Sequence, residues 1–382
     1  STPALLHMWE SVPVHRRSDV VLVGNGLPPL DLVVDHNDTS SVTLVIPHFS
    51  VLKVGDWPNI HPQTPPTVVF GKHASTVAHL LSRAGIPVQI VTSLDQWYVS
   101  AIRKLIWASA MWLLCHDVVD NHEDSDSSNN NINHVNAMNS PMTVEQVHRQ
   151  QGGRLRHLVE HELLPAAQCV LQSQIMESMS HCDDLKQRDE GRTANMENNN
   201  RHVVDIGSAE EVIEYCIAYS ESIQGAIPSK QLALEELATR NGVFLRHADI
   251  PQPMHHALLQ TQLGGPHALH RALDNLAEHD ATLTSPTTPS SEQKSFLIHN
   301  QNLGLSFRAT PRRRRNDQTK EGHDQLIEKK KDLHVVVIGA GMMGSSIALA
   351  LSSSSISSGQ MIRVTVLDRL PLHVDGETTM GS

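Results

Sequence analysis

Three glycines near the C-terminal end carry the clearest chemical signal. Gly339-x-Gly341-x-x-Gly344 follows the β-branched run Val335–Ile338 and precedes a small-residue stretch, Ser345–Leu351. At this spacing the first glycine permits a tight turn and the second lets a pyrophosphate approach the backbone. The third lets helix and strand pack closely. The helix start then offers unpaired N–H groups and a positive dipole end to phosphate. A second run, Val364–Leu367, ends at Asp368, whose carboxylate would accept hydrogen bonds from adenosine ribose hydroxyls. Ser352–Gly359 lengthens the connection as a loosened helix end or loop. This order of elements predicts the first βαβ of a dinucleotide-binding unit. A second residue of interest is Lys104, set among Ile102, Leu105, Ile106, Trp112 and Leu113. A charge on so apolar a helix needs a reason.

The elements that must position these groups are legible from pattern. Asp19–Val23, Val42–Ile46, Thr67–Phe70 and Val88–Val91 are short β-branched runs bounded by turn residues. Such runs predict strands buried on both faces, as in a parallel sheet. Val77, Leu80 and Leu81 have helical spacing after Gly71-Lys72-His73. Residues 15–92 therefore read as α/β. From Asp95 the pattern becomes helical, beginning with the buried helix that carries Lys104. Thr143-x-x-Gln146 and Ser208-x-x-Glu211 are capping boxes. The second opens a helix with Val212, Ile213, Cys216, Ile217 and Ile223 inward, and Ser229 starts another over Lys230–Ala238 with Leu232, Leu234 and Leu237. Asp120–Ser140, Asp183–Asn200, Asp280–Gln293 and Arg308–Asp332 are polar or low-complexity and read as insertions or linkers. The expected fold is an α/β domain over 1–94, a helical domain over 95–278, a linker over 279–332 and the start of a Rossmann domain over 333–382.

Other constellations weigh less. His116-Asp117 with Asp120, His122, Glu123 and Asp124 matches no known metal cage, and no metal is expected. His48 and Lys72-His73 follow strands, the edge where open α/β sheets bind ligands. Gly24-Asn25-Gly26 also follows a strand and reads as a turn. Cys115 reads as core, and the Arg312–Arg315 run as part of a solvated linker. The net charge of −11 argues against a nucleic-acid partner. No apolar run reaches the length of a membrane span. Four cysteines without a CxxC pair suit a reducing compartment, cytoplasm or an organelle matrix. The first residue is serine, so a processed or truncated N-terminus is expected and a targeting peptide is not assessable.

The wording GAGMMGSSIALAL…VTVLDR over residues 334–382 resembles the opening of the D-amino-acid oxidase and glycine oxidase family of flavoproteins. The resemblance implies FAD, with Gly339, Ala340, Gly341, Met343, Gly344, Asp368 and Arg369 as its binding residues. It places Thr378–Ser382 at the start of a segment that wraps the cofactor. It also implies oxidation of an amine or amino acid, chemistry that belongs to the flavin. Residues 15–245 are similar to the ketopantoate reductase family without its first part. Arg103-Lys104-Leu105 matches that family's Lys-Leu, and Glu236 with Asn241-Gly242 its Glu…Asn-Gly segment. Where that family has an asparagine four residues after the lysine, this chain has Ala108; the position of a family serine falls on Gln224. This second resemblance implies NADPH, a small-molecule 2-keto acid substrate, and catalysis by Lys104 and Glu236. The lysine would give a proton to the carbonyl oxygen as hydride arrives at carbon; the glutamate would bind a substrate hydroxyl or tune the lysine. The expected activity is that of an FAD-dependent oxidoreductase. The alternatives are a 2-keto acid reductase acting through Lys104, or an inactive reductase-like module that binds or dimerises through its helices.

Overall fold

The computed structural model describes residues 9, 12–28, 42–49, 60–117, 140–176, 204–246, 249–284, 333–338 and 362–367. The chain divides into two units, one of residues 1–50 and 59–288, the other of residues 51–58 and 289–382.

The first unit opens with a 3-10 turn, Val14–Asp19, and a mixed sheet: β1 Val21–Val23, β2 Thr43–Ile46, β3 Thr67–Phe70 and β4 Val88–Ile90, in that spatial order. The strands fall where the β-branched runs place them, except that Asp19 belongs to the turn. The expectation of a parallel sheet buried on both faces holds only in part. β1 pairs parallel with β2 and β3 parallel with β4, but β2 and β3 are antiparallel. All four β2 residues are buried, whereas the edge strand β4 leaves Gln89 and Ile90 exposed. Burial on two faces requires neighbours on both sides, and an edge strand lacks one. The parallel β3–β4 pair is joined by α1, Ala74–Arg83, which buries Ala74, Val77, Ala78, Leu80 and Leu81.

α2, Leu94–Cys115, is capped at its start by Ser93, whose side chain accepts from Gln96 N. It is apolar on nearly every side, the pattern of a helix enclosed by other elements. It packs on β2 and β3 and on several helices. The helices after it are α3 Val144–Leu158, a π-helical turn Val159–Leu163, α4 over residues 164–176, α5 Ala209–Ser222, α6 Lys230–Glu235, a 3-10 turn Leu237–Thr239, α7 Asn241–Leu245, α8 Pro253–Leu263 and α9 Pro266–Thr284; α2 meets α3, the π-helical turn, α5 and α8 among them. Sheet and helices share one apolar core.

Both capping boxes form, Thr143 with Gln146 and Ser208 with Glu211. Of the residues placed inward on α5, Val212, Ile213 and Cys216 are buried and Ile217 is half-buried. The Lys230–Ala238 helix breaks after Glu235. Ala233 and Leu237 turn inward, and Leu232 is exposed. α9 continues to Thr284, so helix replaces the front of the expected linker.

Gly242 answers a close approach of elements. A Cβ there would lie 2.9 Å from the Leu237 carbonyl oxygen and 3.0 Å from both Leu276 methyls. Gly242→Ala should cost about 1–3 kcal/mol through overpacking against backbone. Urea unfolding measures it; an unchanged midpoint would show that Leu276 yields freely.

In the second unit, β5 Leu333–Ile338 and β6 Ile362–Leu367 pair parallel over their full lengths, Leu333 opposite Ile362 and Ile338 opposite Leu367. Parallel neighbours need a crossover between them; residues 339–361, which lie between the two strands in sequence, are outside the described residues. Gly339, Ala340, Gly341, Met343, Gly344, Asp368 and Arg369 lie outside the described residues, as do residues 120–139, 183–200 and 308–332.

Candidate functional site

β1 and β2 run parallel, so their C-terminal ends share one edge of the sheet. The chain leaves β1 through Gly24-Asn25-Gly26 and β2 through Pro47-His48. Because β3 is antiparallel to β2, Pro66, just before it, reaches the same edge. The side chain of Lys104 rises from α2 to this edge. Its Nζ donates to Asn25 Oδ1 at 2.7 Å and to the Pro47 carbonyl, and lies 5.9 Å above the centre of the Tyr219 ring.

The lysine is buried, and its acceptors are neutral. Burial, followed by the positive charge of Arg240, lowers its pKa from 10.5 to about 7. Taking an ammonium out of water without a carboxylate partner favours the free amine. Half of such a side chain is protonated near neutral pH, the condition under which one group both gives and takes a proton.

His48 forms the wall beside it. Its Nδ1–H donates to the Pro66 carbonyl and its Nε2 accepts from the Tyr215 hydroxyl, each at 2.8 Å. The Tyr215 and Tyr219 rings meet it edge-on at 5.8 and 5.7 Å. Burial, with the Lys104 charge second, lowers the His48 pKa from 6.5 to about 3. The ring is therefore neutral in the fold at any pH where the unfolded chain would also hold it neutral. Its stabilising contribution is complete above pH 6.5 and is lost as the pH falls towards 3, because the unfolded state then binds the extra proton. The urea midpoint should fall over that window, and His48→Gln should make the fall shallower. An identical slope in the variant would place the acid sensitivity elsewhere.

Glu236 stands at the C-terminal end of α6, where its carboxylate pairs with Arg240 at 2.6 Å. Among the described contacts none joins it to Lys104. The Thr239 carbonyl faces the loop after β1, since a Cβ at Gly26 would lie 3.7 Å from its oxygen. Arg240 also acts electrostatically on Tyr219, whose phenol burial pushes well up while the guanidinium pulls it down. Lys104, Asn25, His48, Tyr215 and Tyr219 thus converge, and Arg240 acts on the lysine electrostatically.

Asn241, adjacent in sequence, belongs to a different network. Its Oδ1 accepts from Trp112 Nε1 at 2.7 Å, and its Nδ2 donates to the Ser109 carbonyl at 3.2 Å and to His255 Nε2 at 2.8 Å. His255 Nδ1–H donates to Gln252 Oε1 at 2.8 Å. Glu162, buried in the π-helical turn, accepts from the Met254 and His255 amides at 2.9 and 2.8 Å and so caps α8. These groups bind one another rather than a ligand.

The other sequence candidates separate. Lys72 and His73 follow β3 and lie at the opposite edge from His48. There Lys72 Nζ and His73 Nε2 each stand 3.4 Å from Asp19 Oδ1, tying α1 to the turn before β1. His116 donates through Nε2 to the Pro228 carbonyl at 2.8 Å, and Asp117 pairs with Arg154. Asp120, His122, Glu123 and Asp124 lie outside the described residues. Burial pushes the Cys115 thiol up to about 12, so it is an inert core residue. Arg103, next to Lys104, turns away and donates through Nε and Nη2 to the Ile206 carbonyl at 2.8 and 2.6 Å.

Sequence reasoning missed Asn25, Tyr215, Tyr219 and Arg240. Asn25 reads as a turn residue, and Tyr215 and Tyr219 belong to no motif. Their convergence depends on pairings between residues 79 to 167 apart in the chain. Arg240 carried one signal, a cation between Thr239 and Asn241 in an otherwise compact segment.

Comparison with known proteins gave no matching family model, no matching curated sequence and no matching solved structure. Among the described residues no helix is long and apolar enough to cross a membrane.

Proposed function

We propose that the first unit is an oxidoreductase site for a small 2-oxo acid, in which Lys104 gives its proton to the carbonyl oxygen. The observation that carries this reading is a buried lysine with no carboxylate partner, donating to Asn25 Oδ1 and the Pro47 carbonyl at the sheet edge formed by the ends of β1 and β2. A positioned acid whose pKa lies near the working pH is the most effective proton donor. Asn25 and the Pro47 carbonyl orient the amine, and Tyr219 shields it from water. The similarity of residues 15–245 to ketopantoate reductases points the same way. NADPH supplies the hydride when bound; Gly24-Asn25-Gly26 has Pro29 where a dinucleotide fingerprint has its third glycine, so these residues alone do not make a pyrophosphate cradle. The test is NADPH oxidation by the full chain with a panel of 2-oxo acids. Turnover that disappears in Lys104→Ala supports the reading. Equal turnover in the variant removes it.

A second reading concerns the second unit. The parallel β5–β6 pair with 339–361 between them favours the start of an FAD-binding domain. Gly339, Ala340, Gly341, Met343, Gly344, Asp368 and Arg369 would hold the adenosine diphosphate half, and the flavin would oxidise an amine or amino acid. Quenching of FAD fluorescence by the full chain, lost in Gly341→Val, tests this. Unquenched fluorescence at saturating protein overturns it.

A further inference from the structure

We propose that His157 and His161 form a chelating pair for a divalent transition-metal ion of the zinc class, at the junction of α3 and the π-helical turn. The proposal does not depend on the reading of Lys104.

The two imidazoles are four residues apart, one in the last turn of α3 and one in the turn Val159–Leu163. Both residues are exposed. Their ring centres stand 4.8 Å apart with the planes at 63°. An imidazole nitrogen binds zinc at about 2.0–2.1 Å, which puts each ring centre ~3.2 Å from the ion. At ligand angles of ~90–110° the two centres then lie about 4.5–5.2 Å from each other. The rings are therefore at the separation of two ligands sharing one ion, and both are open to solvent.

The other paired histidines of the first unit are committed elsewhere. His48 and His255 have both ring nitrogens engaged by protein groups. Among the described contacts neither His157 nor His161 makes a hydrogen bond. A half-exposed ring with free nitrogens has lone pairs to give.

A carboxylate lies beside the pair. Glu162 Oε1 is 3.9 Å from His157 Nε2, and its side chain is only 2% exposed against 49% for the histidine. Glu162 accepts from the Met254 and His255 amides, so its oxygens are fixed in place. It supplies a buried negative charge next to the ion rather than a third ligand. Among the described residues no group of three side chains is placed to hold a metal. The site is thus a two-histidine chelate whose remaining positions take water. Imidazole ligands suit zinc, copper and nickel, whereas magnesium and calcium prefer oxygen. An ion held here joins the end of α3 to the π-helical turn whose Glu162 caps α8.

Hydrogen exchange of the full chain at neutral pH, with and without submillimolar Zn2+, tests the proposal, with Mg2+ as the control. Zinc at tenfold its Kd should slow exchange of amides in residues 157–163 roughly tenfold, because opening of the turn must first release the ion. Ni2+ should act as zinc does and Mg2+ should not. His157→Gln or His161→Gln alone should abolish the slowing, since a single imidazole loses the roughly 10²–10⁴-fold advantage of a linked second ligand. Both substitutions are at exposed positions, and an unchanged circular dichroism spectrum confirms that each variant folds. His267→Gln, exposed on α9, should leave the effect intact and so separates this pair from the other histidines. No slowing by zinc, equal slowing by Mg2+, or slowing that survives both single substitutions overturns the site and reduces the 4.8 Å approach to a contact between rings.

Discussion

Lys104→Met should make the first unit more stable near neutral pH while removing its activity. In the fold the lysine has a pKa of about 7 against 10.5 outside it. Below pH 7 it is charged in both states, and the folded chain bears the whole cost of burying an ammonium. Between pH 7 and 10.5 the unfolded chain binds more protons than the folded one, so stability rises with pH through that window. The shift corresponds to roughly 4–5 kcal/mol against the charged form. Methionine has similar length and no charge. It leaves Asn25 Oδ1 and the Pro47 carbonyl without their donor, which costs about 1–3 kcal/mol. The net gain should be about 1–3 kcal/mol at pH 6–7, fading as the pH approaches 10. Turnover of a 2-oxo acid should fall roughly 10²–10⁴-fold. Urea unfolding from pH 6 to 10 reads the first effect and an NADPH assay the second. Parallel stability profiles for the two proteins would mean that Lys104 is solvated.

Asn241→Leu should be among the most destabilising single substitutions in the chain. The amide joins Trp112, the Ser109 carbonyl and His255 in a region where all four residues are fully enclosed. Leucine has about the same volume but leaves the Trp112 indole N–H and His255 Nε2 without their partner, while the Ser109 carbonyl keeps its place in the α2 ladder. At about 1–3 kcal/mol for each group left without a partner, less whatever relaxation recovers, the cost should be about 3–5 kcal/mol. Trp112→Phe should then cost less in the Asn241→Leu background than alone, because the indole N–H is already without an acceptor. Additive effects in that cycle would show that the indole and the amide do not act as a pair.

Local periodicity made much of the architecture legible. The four strands of the first unit, the long apolar helix, both capping boxes and the paired C-terminal strands lie where β-branched runs, helical spacing and cap residues put them. These are short-range preferences, written within a few residues. Strand direction is not. Nothing local distinguishes an antiparallel β2–β3 pair from a parallel one when the connection between them spans twenty residues. The same limit applies to the site. Lys104 was visible as a charge in the wrong company, and His48 as a residue after a strand. Their neighbours Asn25, Tyr215, Tyr219 and Arg240 are distant in sequence, and only the closed core brings them together. Asn241 illustrates the opposite hazard. It stands in a motif that suggests substrate contact, yet every polar atom of its side chain is occupied by the protein.

The enclosure of α2 has a mechanical consequence. At about 1.5 Å per residue, its 22 residues make a rod ~33 Å long. It packs on both the sheet and the helical bundle. Neither half can loosen without exposing a stretch of that rod, so melting should propagate from one to the other. Scanning calorimetry of the first unit's transition should give a single peak whose van't Hoff and calorimetric enthalpies agree.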